Sequence, residues 1–323
     1  MPQGLDWALA LLCAALLGLA MQRGATCLVV AVDEWLQHRR VGRAAALAEA
    51  ALWSGTGFLV LQAAGWMPAL SAGYDVSAWT LAGAVVLGLG AVLNGGCVVG
   101  SVAKLGSGQW AYAATPLGFF LGCKLADLSG TVPQAHALAA PVALASAPTA
   151  LGWLLLVALL LRALWAWQRH GWRFSPHAAT ASIGLIFALL VAMAGSWSYT
   201  DVLADIAHPM AQARRLNAPM QWSLAAALFA GALAGGLTAG RWTWPRSAPW
   251  SWPWRKALRC LLGGALLGWG SLWVPGSNDS LLLLGLPLLW PHAWPALATM
   301  VLTIALALRV RAGKFRSAPP NPE

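Results

Sequence analysis

Five cysteines and a few small polar residues carry most of the chemistry this 323-residue chain can do. Cys97 follows Asn94-Gly95-Gly96, and Ser277 follows Pro275-Gly276 and precedes Asn278-Asp279. Glycine and proline interrupt helices, so each run reads as a break after which a helix restarts. A restarting helix directs unpaired N–H groups and the positive end of its dipole at whatever lies ahead, which suits an anion. A thiol and a hydroxyl can both donate to an anionic oxygen or sulfur without ionising, and a thiol also suits a polarizable sulfur ligand. A second, weaker echo sets Gly24-Ala25-Thr26-Cys27 against Gly195-Ser196-Trp197-Ser198, each followed by a short apolar stretch containing acids. The candidate binding residues are therefore Cys97, Cys27, Gly95, Gly96, Asn94, Ser277, Gly276, Asn278 and Ser198. Asp279 would repel an anion and is expected to cap its helix facing outward.

The same residues argue against catalysis and against metals. The odd cysteine count with no C-x-x-C pair indicates neither a disulfide framework nor a zinc site, and Cys13, Cys123 and Cys260 read as small buried hydrophobes. A serine hydrolase would need a general base beside Ser277 or Ser198, but His292 and His208 fall in expected outer loops. The six histidines show no ligand spacing. No enzyme activity, catalytic residue, metal or cofactor is expected.

The elements that must position these residues are membrane helices. Hydrophobic residues make up 59% of the chain and charged residues 9%, where soluble domains carry about 25% charged, and mean hydropathy is +0.66. The apolar runs are about 17 to 25 residues long, enough to cross a hydrocarbon core of about 30 Å as helices. Leu151 to Leu164 does not alternate, which excludes a transmembrane barrel. Nine spans are expected: Trp7 to Gln22, Leu47 to Trp66, Trp79 to Gly96, Ala111 to Leu128, Val142 to Trp167, Ala179 to Ser196, Met220 to Gly240, Ala257 to Val274, and Trp294 to Arg309. The first lacks a preceding basic residue and a following A-x-A-like site, so it is expected to be retained rather than cleaved.

The formal net charge of +10 is a topology signal rather than a nucleic-acid signal, because the basic residues lie between the apolar runs. With the amino terminus outside, only Lys124, Arg214 and Arg215 of the 20 basic residues fall on the outer side. The expected setting is a bacterial inner membrane, with the carboxyl terminus cytoplasmic. The 21 tryptophans, including the run Trp242 to Trp254, read as interfacial belts.

Leu87-Gly88-Leu89-Gly90-Ala91 with Gly96-Cys97 matches Leu267-Gly268-Trp269-Gly270-Ser271 with Gly276-Ser277, at a constant offset of 180. The expectation is one all-α transmembrane domain over residues 1–310, built as repeat 1 (about 7–128), a linking span (142–167) and repeat 2 (about 179–310). Residues 311–323 form a disordered cytoplasmic tail in this reading. A single linking span inverts the second repeat, and inverted repeats with broken or re-entrant half-helices are a transporter signature. Unwound backbone inside a bilayer must face protein or a water-filled path.

Three motifs in order, Gly95-Gly96-Cys97-x-x-Gly100, Arg23-Gly24-x-x-Cys27, and Pro275-Gly276-x-Asn278-Asp279 before Gly285-Leu286-Pro287, resemble the YeeE/YedE family of sulfur-compound transporters across nearly the whole chain. That resemblance implies an hourglass-shaped protein that takes up thiosulfate past cysteines at its constriction, with Cys97 the central contact and Cys27 a second. The second repeat departs from the pattern by offering Ser198 and Ser277, which widens the expected substrate to thiosulfate or a related sulfur anion. Moving a dianion inward costs about 2.3 kcal/mol per charge per 100 mV, and no G-x-x-x-x-G-K-[ST] loop is present to couple ATP. Ion coupling, or consumption by a cytoplasmic sulfurtransferase or sulfur-carrier protein, would supply the difference. The other partner is membrane lipid, with no nucleic acid. The competing readings are a membrane-embedded thiol oxidoreductase and an assembly factor.

Overall fold

A computed structural model describes residues 3–67, 72–138, 148–170, 175–208, 218–240, 242 and 253–316. Among the described residues thirteen α-helices follow one another: α1 Gln3–Gly24, α2 Leu28–His38, α3 Gly42–Ala63, α4 Ala78–Asn94, α5 Val98–Gly106, α6 Ala114–Leu128, α7 Thr149–His170, α8 Pro176–Ala194, α9 Tyr199–Ala207, α10 Ala218–Thr238, α11 Trp254–Trp273, α12 Asn278–Ser280 and α13 Ala293–Arg316. A π-helical turn, Leu281–Gly285, prolongs α12. Among the described residues the extended pairing is an isolated bridge between Tyr74 and Ala137. Arg214 and Arg215, and most of the Trp242 to Trp254 run, lie outside the described residues.

Among the described residues seven stretches are long and apolar enough to cross a membrane, and the pair Trp254–Trp273 and Asn278–Gly285, bent by 57°, makes an eighth if counted as one span. The chain is an all-α, multi-pass membrane protein. The expected count of nine is not reached on this measure, for a local reason. The fourth expected span opens with a 3-10 turn, Trp110–Ala113, which leaves α6 only 15 residues. α13 continues to Arg316, through the first residues expected in the tail.

Local chemistry sets several helix ends. Ser77 and Thr80 form a reciprocal capping box at the start of α4, with Ser77 N–H donating to Thr80 Oγ1 at 3.1 Å. Ser175 caps α8, where Pro176 occupies the first turn without losing a hydrogen bond.

The helices approach through small residues, as expected where lipid supplies no hydrophobic drive for helix association. A Cβ at Gly18 of α1 would sit 1.8 Å from the Leu228 carbonyl oxygen of α10. The same distance separates a Cβ at Gly184 of α8 from the Ala50 carbonyl oxygen of α3, and one at Gly122 of α6 would reach Ala265 of α11 at 1.9 Å. These packings correspond in pairs: α1 lies on α10 as α8 lies on α3, α6 on α11 as α13 on α4, and α1 meets α8 as α4 meets α11. α7 stands apart. It packs on α3 and is joined by Arg162, whose Nη2 reaches Glu49 of α3 at 2.6 Å, while His177 of α8 meets the same carboxylate at 2.7 Å.

Candidate functional site

Four helices restart inside the protein, and the residue before each restart is Cys27 (α2), Cys97 (α5), Ser198 (α9) or Ser277 (α12). Left-handed backbone makes the preceding breaks: Gly95 has φ of 76° and Gly195 of 79°.

The first-half break is held rigidly. Asn94 Nδ2 donates to the Gly96 carbonyl at 2.6 Å and to Ser101 Oγ at 2.8 Å, and Thr115 Oγ1 donates to Asn94 Oδ1 at 2.9 Å. Lys104 lies one and a half turns into α5 and folds back, its Nζ donating to the Gly95 carbonyl and, at 2.9 Å, to Tyr112 Oη. A cation thus sits beside the break, where it neutralises carbonyls left free at the end of α4.

The second-half break is held by hydroxyls. Ser198 Oγ accepts from the Asp201 N–H at 3.2 Å and meets Thr200 Oγ1 at 2.8 Å, which in turn meets Ser277 Oγ at 3.0 Å. Ser277 Oγ donates to the Asp279 carboxylate, and Ser277 N–H donates to Ser280 Oγ at 3.0 Å. Tyr199 crosses between the halves, its hydroxyl donating to the Val98 carbonyl at 3.2 Å.

At the centre the Cys97 thiol lies against both the Cys27 thiol and the Asn278 side chain. All five described cysteines are reduced and buried. Gly100 makes the Cys27 approach possible, because a Cβ there would fall 3.0 Å from Cys27 Sγ. Cys27, Cys97, Asn278 and Asp279 line one narrow cavity, walled elsewhere by Leu47, Ile183 and Leu297. The cavity has room for little more than one water-sized group. Asn278 Oδ1 is buried with no hydrogen-bond partner. An amide turned about its Cβ–Cγ axis would present its NH2 at the same point, and a buried polar group without a partner marks a place for a ligand or water.

Of the residues expected from sequence, Cys27, Cys97 and Asn278 meet in the cavity. Asn94, Gly95, Gly96, Ser198, Gly276 and Ser277 form the scaffold of the breaks rather than the cavity lining. Asp279 differs from its expected outward position: it is 6% exposed and faces the cavity, because the Ser277 hydroxyl draws its carboxylate inward. Sequence reasoning treated Lys104 only as a topology signal and did not single out Thr200, Tyr199 or Ser101. Lys104 stood in an apolar stretch, and an ionisable residue at membrane depth is itself a functional signal. Thr200 and Tyr199 gave no such mark, since their roles come from partners 77 and 101 positions away.

Among the described residues no group of three or more His, Cys, Asp or Glu side chains could hold a metal ion. One family model, described as sulphur transport, matches residues 23–306, which include all four breaks. None of the curated proteins compared matches the sequence. The match covers most of the chain, and the chain belongs to this YeeE/YedE sulphur-transport family.

Proposed function

We propose that this member of the sulphur-transport family takes up thiosulfate or a closely related sulfur anion, handing it past Cys97 and Cys27 at the central constriction. The observation that carries the reading is the meeting of the Cys97 thiol with Cys27 and Asn278 where interrupted helices restart. Thiols, an amide and helix N-termini together form a donor-rich, weakly hydrated niche that suits a large, polarizable anion better than a hard one. The two halves are read as inverted repeats, consistent with the exchange of packing partners between them. A cavity this narrow requires that these elements part to let an ion through, giving an hourglass with its waist at Cys97.

Orientation follows the basic residues: amino terminus outside, carboxyl terminus in the cytoplasm of a bacterial cell. A cytoplasmic sulfurtransferase or sulfur-carrier protein that consumes the incoming ion would keep the inward gradient favourable.

The test is uptake of labelled thiosulfate into cells lacking their own route. Wild type should restore uptake and Cys97→Ala should lower it steeply; undiminished uptake in the variant rejects the assignment. One observation favours a second reading, a thiol oxidoreductase: Cys27 and Cys97 are close enough to interact directly. A redox enzyme must cycle through their disulfide. Uptake that persists with both thiols held reduced rejects that alternative.

A further inference from the structure

Asp279 is the feature an anion carrier should avoid. Its carboxylate is buried, lines the same cavity as Cys27, Cys97 and Asn278, and has no cationic partner among the described residues. An ionised carboxylate there would repel a sulfur anion at contact range in a medium of low dielectric. A protonated one reverses the interaction, because a neutral carboxyl group has an O–H to donate.

The surroundings offer no other means of neutralising it. α9 presents Asp201, a second carboxylate, and the buried phenol of Tyr199. α5 and the turn before α2 present Cys97 and Cys27, which are neutral thiols when protonated. α3, α8 and α13 contribute only uncharged residues to this cavity, among them Ala50, Thr180 and Leu297. Lys104, the cation beside the α4–α5 break, is occupied by the Gly95 carbonyl and Tyr112. A chain of hydroxyls does lead away from Asp279, through Ser277, Thr200 and Ser198 to the first turn of α9. Each hydroxyl in such a chain can accept one proton and donate another.

We propose that Asp279 is the proton-carrying residue of this transporter, so that the sulfur anion and a proton cross together. The proton is taken from the outer solution onto the Asp279 carboxylate, neutralising it before the anion reaches Cys97, and is released on the inner side as the anion leaves. No electrons move and no bond other than O–H forms or breaks. Each proton carried cancels one unit of the charge that the membrane potential opposes. This inference rests on the transport reading above and adds the coupling ion to it.

The experiment uses the purified full chain in sealed proteoliposomes, with a pH-sensitive dye in the lumen and labelled thiosulfate outside. Thiosulfate entry by the wild type should acidify the lumen, and an outside-acidic gradient should speed entry several-fold. Asp279→Asn should lose the acidification and the response to the gradient, whatever rate of thiosulfate entry it retains. Asp279→Glu should keep the coupling. Wild-type entry without acidification overturns the proposal while leaving thiosulfate transport intact, and that measurement needs no variant to fold. Acidification that persists in Asp279→Asn overturns it too. No thiosulfate entry by the wild type overturns this inference and the transport reading together.

Discussion

The two halves build the same frame and furnish it differently. In the first, the restarting helices begin at thiols, Cys27 and Cys97, and the break is pinned by an ammonium group, Lys104. In the second, they begin at hydroxyls, Ser198 and Ser277, and a carboxylate, Asp279, hangs from the break. All four cap residues have extended backbone, while the side chains divide into thiols on one side and hydroxyls with a carboxylate on the other. Matching helix packing thus leaves the side chains at the restarts free to differ.

Exchanging furniture between the halves is the most direct way to break this comparison. Cys97→Ala should reduce initial uptake of labelled thiosulfate by about 10- to 100-fold, the loss expected when a hydrogen bond to a charged group disappears. Cys97→Ser, which keeps a donor and loses the polarizable sulfur, should fall between. Ser277→Cys, which makes the second half resemble the first, should retain uptake. If Cys97→Ser behaves as wild type, softness is irrelevant and the two sides are equivalent.

A smaller effect is expected from the cation. Lys104→Gln keeps a donor for the Gly95 carbonyl but removes the charge, and should lower uptake by about 3- to 10-fold with little loss of folded protein. Equal losses of transport and of folded protein would make Lys104 a purely structural pin. Packing should be equally sensitive in both halves: Gly122→Val and Gly184→Val each force a side chain into a neighbouring backbone carbonyl. Each should cost about 1–3 kcal/mol, seen as a lower melting temperature in detergent.

The smallest effect concerns His292, in the turn before α13 and outside the membrane-crossing stretches. Burial pushes its imidazole down to about 4, and the Tyr74 N–H donates to its Nδ1 at 3.1 Å, so the neutral ring is the one that fits. An unfolded histidine titrates near pH 6.5. Stability should therefore be level above about pH 6.5 and fall as pH drops toward about 4, by on the order of 1 kcal/mol per unit at most. Asparagine or glutamine at this position should flatten that slope; an unchanged slope assigns it to another group.

Much of this was legible in the chain. Gly95-Gly96-Cys97 and Pro275-Gly276-Ser277 announced their breaks through residues that cannot continue a helix, and the structure interrupts helices at those positions. The encounter of Cys97 with Cys27 and Asn278 was less legible, because spacing along the chain does not say which breaks face one another. The inward turn of Asp279 was misread for a related reason. Repulsion from an anion was weighed as though the carboxylate were always ionised, and the pull of the Ser277 hydroxyl was invisible. The fourth expected span was cut short at Trp110–Ala113 by a tight turn that hydrophobicity alone does not register.

The isolation of α7 bears on how such a molecule is put together. Its main packing partner among the described residues is α3, with a smaller contact to α8, whereas the contacts that knit the molecule run from α1 to α10, α3 to α8 and α4 to α11. The polypeptide joining the two halves is therefore a tether, not a strut. Severed beside that helix, the pieces would be expected to reassociate within the bilayer, and two genes in place of one would serve the cell as well.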